Sequence, residues 1–271
     1  MTRQSPAQPP LEARTALITG ASAGIGHQTA VHLADLGARV ILNARREQRL
    51  LDLAQQLDDQ YPLSDGSPRA FVLPGDAADQ SVIDAALAPD GRSGRPVPDL
   101  VVVNAGRGLA GSVLTSDRDQ WDEMIRTNYL GAAALIRSAG SALAALQEKR
   151  EWPRGGAADI VIVGSTVGRH ISPFSSMYGS TKAAVHALAE SARRELAPKG
   201  VRVSLVEPGI VRTEFQGVAG YDERSFGEKM ESIAPVLTPA DIARAIGFVV
   251  SQPPGVSVCD LVVRPTKQDY P

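Results

Sequence analysis

A tyrosine and a lysine lie four residues apart in the stretch YGSTK, at Tyr178 and Lys182, and the run that follows them has helical periodicity. On a helix this spacing places both side chains on one face. A phenol has an ordinary pKa of about 10, and a nearby positive charge favours its ionised form. The pair is therefore suited to general acid–base chemistry at an oxygen atom. An isolated Y-x-x-x-K motif is more commonly a packed ring beside a surface lysine, so the other motifs must decide.

The composition excludes several classes of protein. The 271 residues are 43% apolar and carry a formal charge of −2. This length can bury a full-sized core, and we expect one large α/β domain rather than two small ones. The chain has no basic run of the kind that binds phosphate backbones, and no uninterrupted apolar span of membrane length. We therefore expect a cytoplasmic protein that binds neither nucleic acid nor a membrane.

The N-terminal segment and the cysteine content exclude two further features. Residues 1–12 are polar and rich in proline, which is typical of a flexible arm and not of a signal peptide, so residues 13–271 are expected to form the domain. Cys259 is the single cysteine, and the four histidines show no ligand spacing. We therefore expect neither a disulfide within the chain nor a metal site.

Seven short apolar runs alternate with longer helical patterns between Thr15 and Arg264. Apolar strands without strict alternation, each followed by a helix, are typical of a parallel sheet that helices cover on both faces. The sequence therefore predicts an α/β fold with a doubly wound parallel sheet of about seven strands. A long amphipathic stretch runs from about Asp117 to Lys149, and a polar segment from about Gly217 to Ser232.

The first strand leads into a turn with three glycines, Gly20, Gly24 and Gly26, spaced G-x-x-x-G-x-G. The first glycine permits a tight turn, the second lets backbone N–H groups approach a pyrophosphate at the helix N-terminus, and the third lets helix and strand pack closely. A glycine triplet alone is a weak signal. Its place between the first strand and a helix, in a βαβ unit of the expected length, indicates a dinucleotide-binding Rossmann fold.

The second strand ends in Asn43-Ala44-Arg45-Arg46, at the position that contacts the adenosine ribose in such folds. An acid there favours NAD, whereas an arginine binds the 2′-phosphate of NADP by charge-assisted hydrogen bonds. The sequence therefore predicts NADP(H), although both arginines could instead be solvated in the first turn of the next helix. At the ends of the next two strands, Asp76 could accept from the adenine amino group, and the small residues of Asn104-Ala105-Gly106 leave room behind the ribose.

Together these motifs resemble the short-chain dehydrogenase/reductase family. The resemblance rests on TGASAGIG after the first strand, NAG after the fourth, Asn128 in the long helix, Ser165 thirteen residues before Tyr178, and VEPGIVRTEF after the sixth strand. It covers nearly the whole chain, from about residue 13 to the last strand. One departure is Val103, where the family often has a second asparagine. That position has no role in catalysis in the family.

The resemblance implies that Tyr178 is the proton donor while a hydride moves between a nicotinamide and a carbonyl carbon. Lys182 is expected to lower the pKa of Tyr178 and to bind the nicotinamide ribose. Ser165 is expected to hydrogen-bond the substrate oxygen, and Asn128 to hold a water beside the lysine. Thr213 is expected to bind the nicotinamide carboxamide.

The candidate residues fall into two groups. The candidate catalytic residues are Asn128, Ser165, Tyr178 and Lys182. The candidate cofactor-binding residues are Gly20, Ser22, Ala23, Gly24, Ile25, Gly26, Arg45, Arg46, Asp76, Ala77, Asn104, Ala105, Gly106, Tyr178, Lys182, Pro208, Gly209, Ile210 and Thr213.

Two other functions fit this sequence less well. A serine hydrolase is disfavoured because Ser165 follows Gly164 directly, whereas the nucleophile elbow needs G-x-S-x-G. An NADP-sensing module without catalysis should lack Ser165, Tyr178 or Lys182, and this chain has all three. Arg169 and His170 lie on an expected edge of the pocket, where loop solvation is commoner than contact with substrate.

The substrate and the assembly are inferred from resemblance. The segment at about 214–237 should close the pocket, and its polar composition offers little for a flat apolar ligand to pack on. The ending VSVCDLVVRPTKQDYP resembles a subgroup with NADP-dependent 3-hydroxy acid (serine-type) dehydrogenases and aldehyde reductases of clavulanic acid formation. We expect a small polar 3-hydroxy acid or aldehyde as substrate, with a 3-oxoacyl thioester as the alternative. The family resemblance implies a homo-oligomer, a tetramer or a dimer.

Overall fold

The computed structural model describes residues 10–91 and 93–269, apart from the side chains of Glu223 and Ser225. These residues are built around a parallel sheet. The seven strands of these residues pair in the order β3-β2-β1-β4-β5-β6-β7. Their bounds are β1 Thr15–Thr19, β2 Arg39–Ala44, β3 Ala70–Pro74, β4 Leu100–Val103, β5 Ala158–Val163, β6 Val201–Pro208 and β7 Asp260–Val263. The order reverses between β1 and β4, and ligands of such sheets bind outside the carboxyl ends of the strands at that point. The predicted doubly wound Rossmann fold is confirmed.

Helices cover both faces of the sheet. Their bounds are α1 Gly24–Asp35, α2 Glu47–Gln60, α3 Gln80–Leu87, α4 Trp121–Ile125, α5 Ala132–Glu148, α6 Ser176–Leu196, α7 Phe215–Ala219, α8 Glu223–Ser232 and α9 Pro239–Val250. Helices α1, α2 and α9 pack on one face, and α3, α5 and α6 on the other. Successive residues of β1 point to opposite faces, so Leu17 joins one apolar cluster and Ile18 the other.

The predicted long helix from Asp117 to Lys149 is divided. Between α4 and α5 the backbone forms a π-helical turn at Arg126–Gly131, a feature that is frequent at functional sites. By length and composition alone, the stretch Arg118–Glu148 could cross a membrane. Leu135 and Leu143 of this stretch are instead buried against the sheet. A helix in a protein core can have the same length and apolar composition as a membrane span.

Charged side chains are buried at the amino edge of the sheet. Arg14 contacts Asp99 and Asp159 at 2.8 Å each, and Arg202 holds both oxygens of Asp159 at 2.7 and 3.0 Å. Arg150 adds a contact to Asp99 at 3.1 Å. Burial disfavours the charge of Arg14, but the two carboxylates outweigh it and raise the pKa of the guanidinium. Each charge in this amino-edge cluster therefore faces an opposite charge.

The prediction of a flexible arm at residues 1–12 is wrong at its C-terminal end, where Leu11 belongs to the folded domain. Leu11 is 1% exposed, packs in the cluster formed by α1, α2 and α9, and donates its N–H to the Leu36 carbonyl at 2.9 Å. Burial of a leucine side chain stabilises by about 1.5–3 kcal/mol, which explains why the domain begins before residue 13. The remainder of the predicted arm, residues 1–9, lies outside the described residues.

Candidate active site

The glycine-rich turn after β1 has the conformation that its spacing predicts. Gly20 and Gly24 have φ angles of +70° and +55°, which glycine adopts without strain. A Cβ on Gly26 would lie 2.4 Å from the Gly20 carbonyl oxygen, so only glycine fits there. Because α1 begins at Gly24, the unpaired N–H groups of its first turn lie at the carboxyl edge of the sheet, where a phosphate could bind.

The end of β4 is tied to this turn by hydrogen bonds. The Thr19 hydroxyl oxygen accepts from the N–H groups of Asn104 and Ala105 at 3.0 and 3.1 Å. The Asn104 side-chain amide donates to the Thr19 carbonyl at 2.8 Å. The backbone of the NAG motif therefore lies beside the glycine-rich turn, as expected for two parts of one binding site.

At the end of β2, the two arginines have different surroundings. Arg46 donates from Nε to the Ser22 hydroxyl of the glycine-rich turn at 3.1 Å. The side chain of Arg45 is 73% exposed, with Nη1 at 3.6 Å from a carboxylate oxygen of Glu123. Arg46 also contacts Glu214 through Nη1 at 3.2 Å, and both arginines line the cavity described below.

Asp76, the predicted acceptor for the adenine amino group, has partners of its own. Its Oδ1 accepts from the Ala78 N–H at 2.9 Å, and its Oδ2 pairs with Arg126. Burial opposes ionisation of Asp76, but these two partners outweigh it and lower the pKa of the carboxyl group. The contact to adenine therefore stays a prediction, and the contacts found here are those that fix the loop after β3 against the π-helical turn.

Ser165, Tyr178 and Lys182 line one cavity. Ser165 follows β5, and α6 carries the other two side chains one turn apart. Tyr178 is 8% and Lys182 6% exposed. The Lys182 ammonium donates to the Val163 carbonyl at 2.8 Å and lies 6.0 Å from the centre of the Tyr178 ring. The fold therefore brings the predicted proton donor, lysine and serine together.

The ionisation of Tyr178 and Lys182 differs from the expectation. Burial raises the pKa of Tyr178, and hydrogen bonding with Ser165 opposes this only in part. Burial also lowers the pKa of Lys182 to about 8. The expected lowering of the tyrosine pKa by Lys182 is thus absent from the chain by itself, because burial disfavours the phenolate and outweighs the hydrogen bond with Ser165.

Asn128 lies in the π-helical turn and is 3% exposed. Its Oδ1 accepts from the Arg107 N–H and its Nδ2 donates to the Arg107 carbonyl, both at 2.8 Å. A Cβ on Gly106 would lie 3.2 Å from Asn128 Oδ1 and 3.8 Å from Lys182 Nζ. The asparagine is therefore near the lysine, and the glycine keeps the space between them open.

The segment after β6 forms the other wall of the cavity. The Gly209 N–H donates to the Val263 carbonyl at 2.7 Å, and the Ile210 N–H donates to Gln268 Oε1 at 2.9 Å. A Cβ on Gly24 would touch the Thr213 methyl group at 3.4 Å. Thr213 thus lies across the groove from the glycine-rich turn.

The cavity has a volume of about 890 Å³. All predicted cofactor-binding and catalytic residues line it except Gly26 and Asn128, which support it from behind. In the described part of the chain, no three His, Cys, Asp or Glu side chains converge as metal ligands would.

The substrate end of the cavity is more aromatic than the sequence suggested. Besides Tyr178, four rings line it, those of Phe174, Phe215, Tyr221 and Phe226. Phe215 packs on Tyr178 with ring centres 5.5 Å apart, and Tyr221 packs on Phe226 at 4.9 Å. The expectation of little apolar surface is therefore wrong. Folding of the polar segment into α7 and α8 turns its few rings inward, and Phe174 joins them from another loop. We call these four rings the aromatic wall.

His186, which sequence reasoning did not single out, lies beneath Ser165. Its Nε2 accepts from the Ser165 backbone N–H at 3.3 Å, and its Nδ1 lies 3.6 Å from Glu207. Arg169 binds the same Glu207 through two contacts of 2.6 Å and is not among the described residues that line the cavity. Since the histidine contacts the backbone of Ser165 and not its hydroxyl, this is not a nucleophile–base pair of a hydrolase.

Comparisons with known proteins agree with this geometry. The short chain dehydrogenase family model matches residues 14–224. An uncharacterized oxidoreductase of Staphylococcus epidermidis is 33% identical over 253 residues, covering 93% of this chain and 97% of that protein.

Two solved structures have closely similar folds. A serine dehydrogenase complexed with NADP+ in its closed form has a TM-score of 0.80 and 27% identity, covering 94% of this chain and 96% of the other. An alcohol dehydrogenase of the archaeon Thermococcus sibiricus, complexed with 5-hydroxy-NADP, has a TM-score of 0.76 and 26% identity, covering 95% and 99%. The family match, the fold and the shared cavity of Ser165, Tyr178 and Lys182 agree. The chain therefore belongs to the short-chain dehydrogenase/reductase family and is an oxidoreductase that uses a nicotinamide cofactor.

Proposed function

We propose that the protein is an NADP(H)-dependent oxidoreductase that interconverts a carbonyl group and an alcohol. The observation that carries this proposal is the meeting of Ser165, Tyr178 and Lys182 in a cavity that also contains the glycine-rich turn. A structural role does not explain a buried phenol and a buried ammonium beside an open cavity, because burial of an unpaired ammonium is unfavourable.

The residues present fit a dinucleotide. The turn before α1 contains glycines with positive φ and has no room for a side chain at Gly26, so a pyrophosphate could approach its backbone closely. The arginines after β2 add positive charge to the same cavity. A bound nicotinamide would supply or accept the hydride. Lys182 would donate to its ribose hydroxyls and Thr213 to its carboxamide.

The chain's own residues would manage the proton and the oxygen. Tyr178 would give the proton from its hydroxyl to the substrate oxygen, which the Ser165 hydroxyl stabilises by a hydrogen bond. Because burial raises the pKa of Tyr178, the phenol is protonated in the chain alone, as reduction of a carbonyl requires. The Lys182 ammonium would stabilise the phenolate that remains, and Asn128 would support return of a proton through water.

A preference for NADP(H) is proposed from charge. Ala44 occupies the position of the NAD-selecting acid, and Arg45 and Arg46 line the cavity next to it. Arg46 is already directed at the glycine-rich turn through Ser22. A 2′-phosphate would place nearly two negative charges beside these guanidinium groups.

Two substrate classes are proposed. A small polar 3-hydroxy acid or aldehyde is supported by the resemblance of the C-terminal segment and by the likeness to a serine dehydrogenase. Lys229, which lines the substrate end, could pair with a carboxylate. The aromatic wall favours the alternative, a carbonyl compound with an apolar body such as a 3-oxoacyl thioester. Phe174 and Val218 are 76% and 63% exposed on that side, so an acyl chain could extend along them.

The test is a reductase screen with NADPH over β-keto acids, semialdehydes and β-ketoacyl thioesters, with Tyr178→Phe as the matched inactive control. We expect NADPH oxidation that requires Tyr178 and is fastest with the thioesters. Tight NADPH binding without turnover on any class would favour the cofactor-sensing alternative and contradict the proposal.

We also propose a homo-oligomer, a tetramer or a dimer, with α5 and α6 in the dimer contact. The support is the family resemblance together with Leu130, which is 54% exposed just before α5. Light scattering at micromolar concentration is the test, and a stable monomer would contradict the proposal.

A further inference from the structure

His186 connects the two elements that carry the candidate catalytic residues. It lies on α6, two turns after Tyr178 and one turn after Lys182, on the same face of the helix. Its Nε2 accepts the backbone N–H of Ser165 at 3.3 Å, just after β5. One imidazole therefore joins the serine backbone to the helix of the tyrosine and the lysine.

The surroundings of this ring are fitted to it. A Cβ on Gly164 would lie 2.4 Å from His186 Nε2, and a Cβ on Gly168 would lie 2.4 Å from its Cε1. Real Cβ atoms do not approach so closely, so both glycines leave room for the imidazole. These positions flank Ser165 on both sides, which places the ring directly under the turn that presents the serine.

The opposite side of the ring faces a buried carboxylate. Glu207 on β6 has no exposed surface, and Nδ1 of His186 lies 3.6 Å from it. Arg169 holds both oxygens of this carboxylate at 2.6 Å and also lies 3.9 Å from Asp260. A proton on Nδ1 faces the negative group, while Nε2 keeps its lone pair for the serine N–H.

Several charges act on this imidazole. The pKa of His186 is lowered to about 4, chiefly by burial and also by the positive charges of Lys182 and Arg169, whereas Asp260 opposes the lowering. The ring is therefore neutral near pH 7. A protonated ring would lose the acceptor that the Ser165 N–H needs.

We propose that His186 is a positioning residue of the active site, which fixes Ser165 relative to Tyr178 and Lys182 through its neutral Nε2 and is itself oriented by Glu207 and Arg169. This rests on the proposed carbonyl chemistry, because the distance that it controls matters only if serine and tyrosine bind the same substrate oxygen. It adds a residue that touches neither substrate nor cofactor, since His186 is absent from the described residues that line the cavity.

The experiment compares His186→Gln with His186→Leu. Glutamine can place an oxygen near the position of Nε2 and keep an acceptor for the serine N–H, whereas leucine fills similar volume without one. Leaving that partly buried N–H unpaired should lower kcat by about tenfold to a hundredfold in His186→Leu, with the Kd for NADPH within about twofold of wild type. His186→Gln should recover kcat to within about threefold.

His32→Leu is the matched control, because His32 packs on α9 at Gly247, outside the cavity lining given above. It should keep wild-type kcat. Equal losses of kcat in His186→Leu and His186→Gln, or no loss in either, would overturn the proposal.

A measurement on the wild-type protein covers the case in which His186→Leu does not fold. Long-range proton–nitrogen correlation spectra of histidine-labelled protein should show the Nδ1–H tautomer of His186 at pH 7. The Nε2–H tautomer would overturn the proposal. The tautomer does not depend on turnover, so it also separates this proposal from the proposed function. A protein that reduces no carbonyl but shows the Nδ1–H tautomer would contradict the proposed function alone.

Discussion

The amino-edge cluster and the buried Lys182 at the carboxyl edge of the sheet differ in how their charges are paired. At the amino edge, Arg14, Asp99, Asp159 and Arg202 are mutually paired, and the donors of Arg202 that do not reach Asp159 end on backbone carbonyls. At the carboxyl edge, Lys182 is as deeply buried, but the hydrogen bond found for its ammonium goes to a single neutral carbonyl.

This difference in charge pairing assigns the amino-edge cluster to stability and Lys182 to catalysis. Loss of one member of the amino-edge cluster leaves the other buried charges uncompensated, which destabilises the folded chain. The incompletely paired lysine at the carboxyl edge has a lowered pKa and hydrogen-bonding capacity left for a ligand. We therefore expect changes at the amino edge to affect unfolding and changes at the carboxyl edge to affect turnover.

The largest expected effect is that of Tyr178→Phe. It should lower kcat by at least about a thousandfold, because the proton donor is lost, while the Kd for NADPH and the unfolding midpoint stay near wild type. Steady-state kinetics and fluorescence titration of NADPH measure the two quantities. Substantial activity in this variant would defeat the assignment of Tyr178.

Asp159→Asn tests the other edge. Asp159 is 1% exposed and pairs with two arginines, so its neutralisation should reduce the free energy of unfolding by about 3–5 kcal/mol. Denaturant unfolding measures this change. Asp52→Asn, at an exposed position on α2, is the control, with an expected change below about 0.5 kcal/mol.

The folded Asp159→Asn variant should keep wild-type kcat per active molecule. A large fall in kcat with unchanged unfolding would show that the two edges are not separate.

Lys182→Met should have opposite effects on function and stability. Turnover and NADPH affinity should both fall, as the lysine serves the tyrosine and the ribose. The free energy of unfolding at pH 7 should rise by up to about 3 kcal/mol, because a buried ammonium is removed.

The pH dependence of stability follows from the same shift. The pKa of Lys182 falls from 10.5 to about 8 on folding, so the folded chain releases this proton first. The unfavourable contribution of the buried Lys182 ammonium to the free energy of unfolding is fully present below pH 8 and disappears as the pH rises towards 10.5. The advantage of Lys182→Met over wild type should therefore shrink over that range. An advantage that is constant with pH would contradict the assigned cause.

Arg45→Ala should have the smallest effect. Loss of one partly exposed contact to the 2′-phosphate should weaken NADPH by about 1.5–3 kcal/mol, or roughly tenfold to a hundredfold, and hardly change NADH. Paired titration of both nucleotides measures the difference. If both weaken equally, Arg45 is only a surface charge and the NADP(H) preference loses its main support.

Local spacing was enough to predict the features that lie within one turn or one helix. The glycine-rich turn, the alternation of strands with helices and the placement of Tyr178 and Lys182 on one helix face depend on neighbours in the sequence. Ser165 was reached through family resemblance, and the fold places it in the same cavity.

Features that depend on distant segments were not predicted. His186 reaches Glu207 from another element, and no periodicity links the two. The aromatic wall combines Phe174 with Phe215, which the chain separates by more than forty residues. The raised pKa of Tyr178 arises from burial, which the composition of α6 does not reveal.

The most direct test of the proposed chemistry is a single-turnover experiment. Enzyme saturated with NADPH, or with NADPH deuterated at the transferred position, is mixed with the best carbonyl substrate while nicotinamide fluorescence is followed. We predict one equivalent of NADPH oxidised per site, a slower rate with the deuterated cofactor, and no oxidation in Tyr178→Phe despite equal NADPH binding. Oxidation at the wild-type rate in Tyr178→Phe, or no oxidation by wild type with any carbonyl class, would contradict the account.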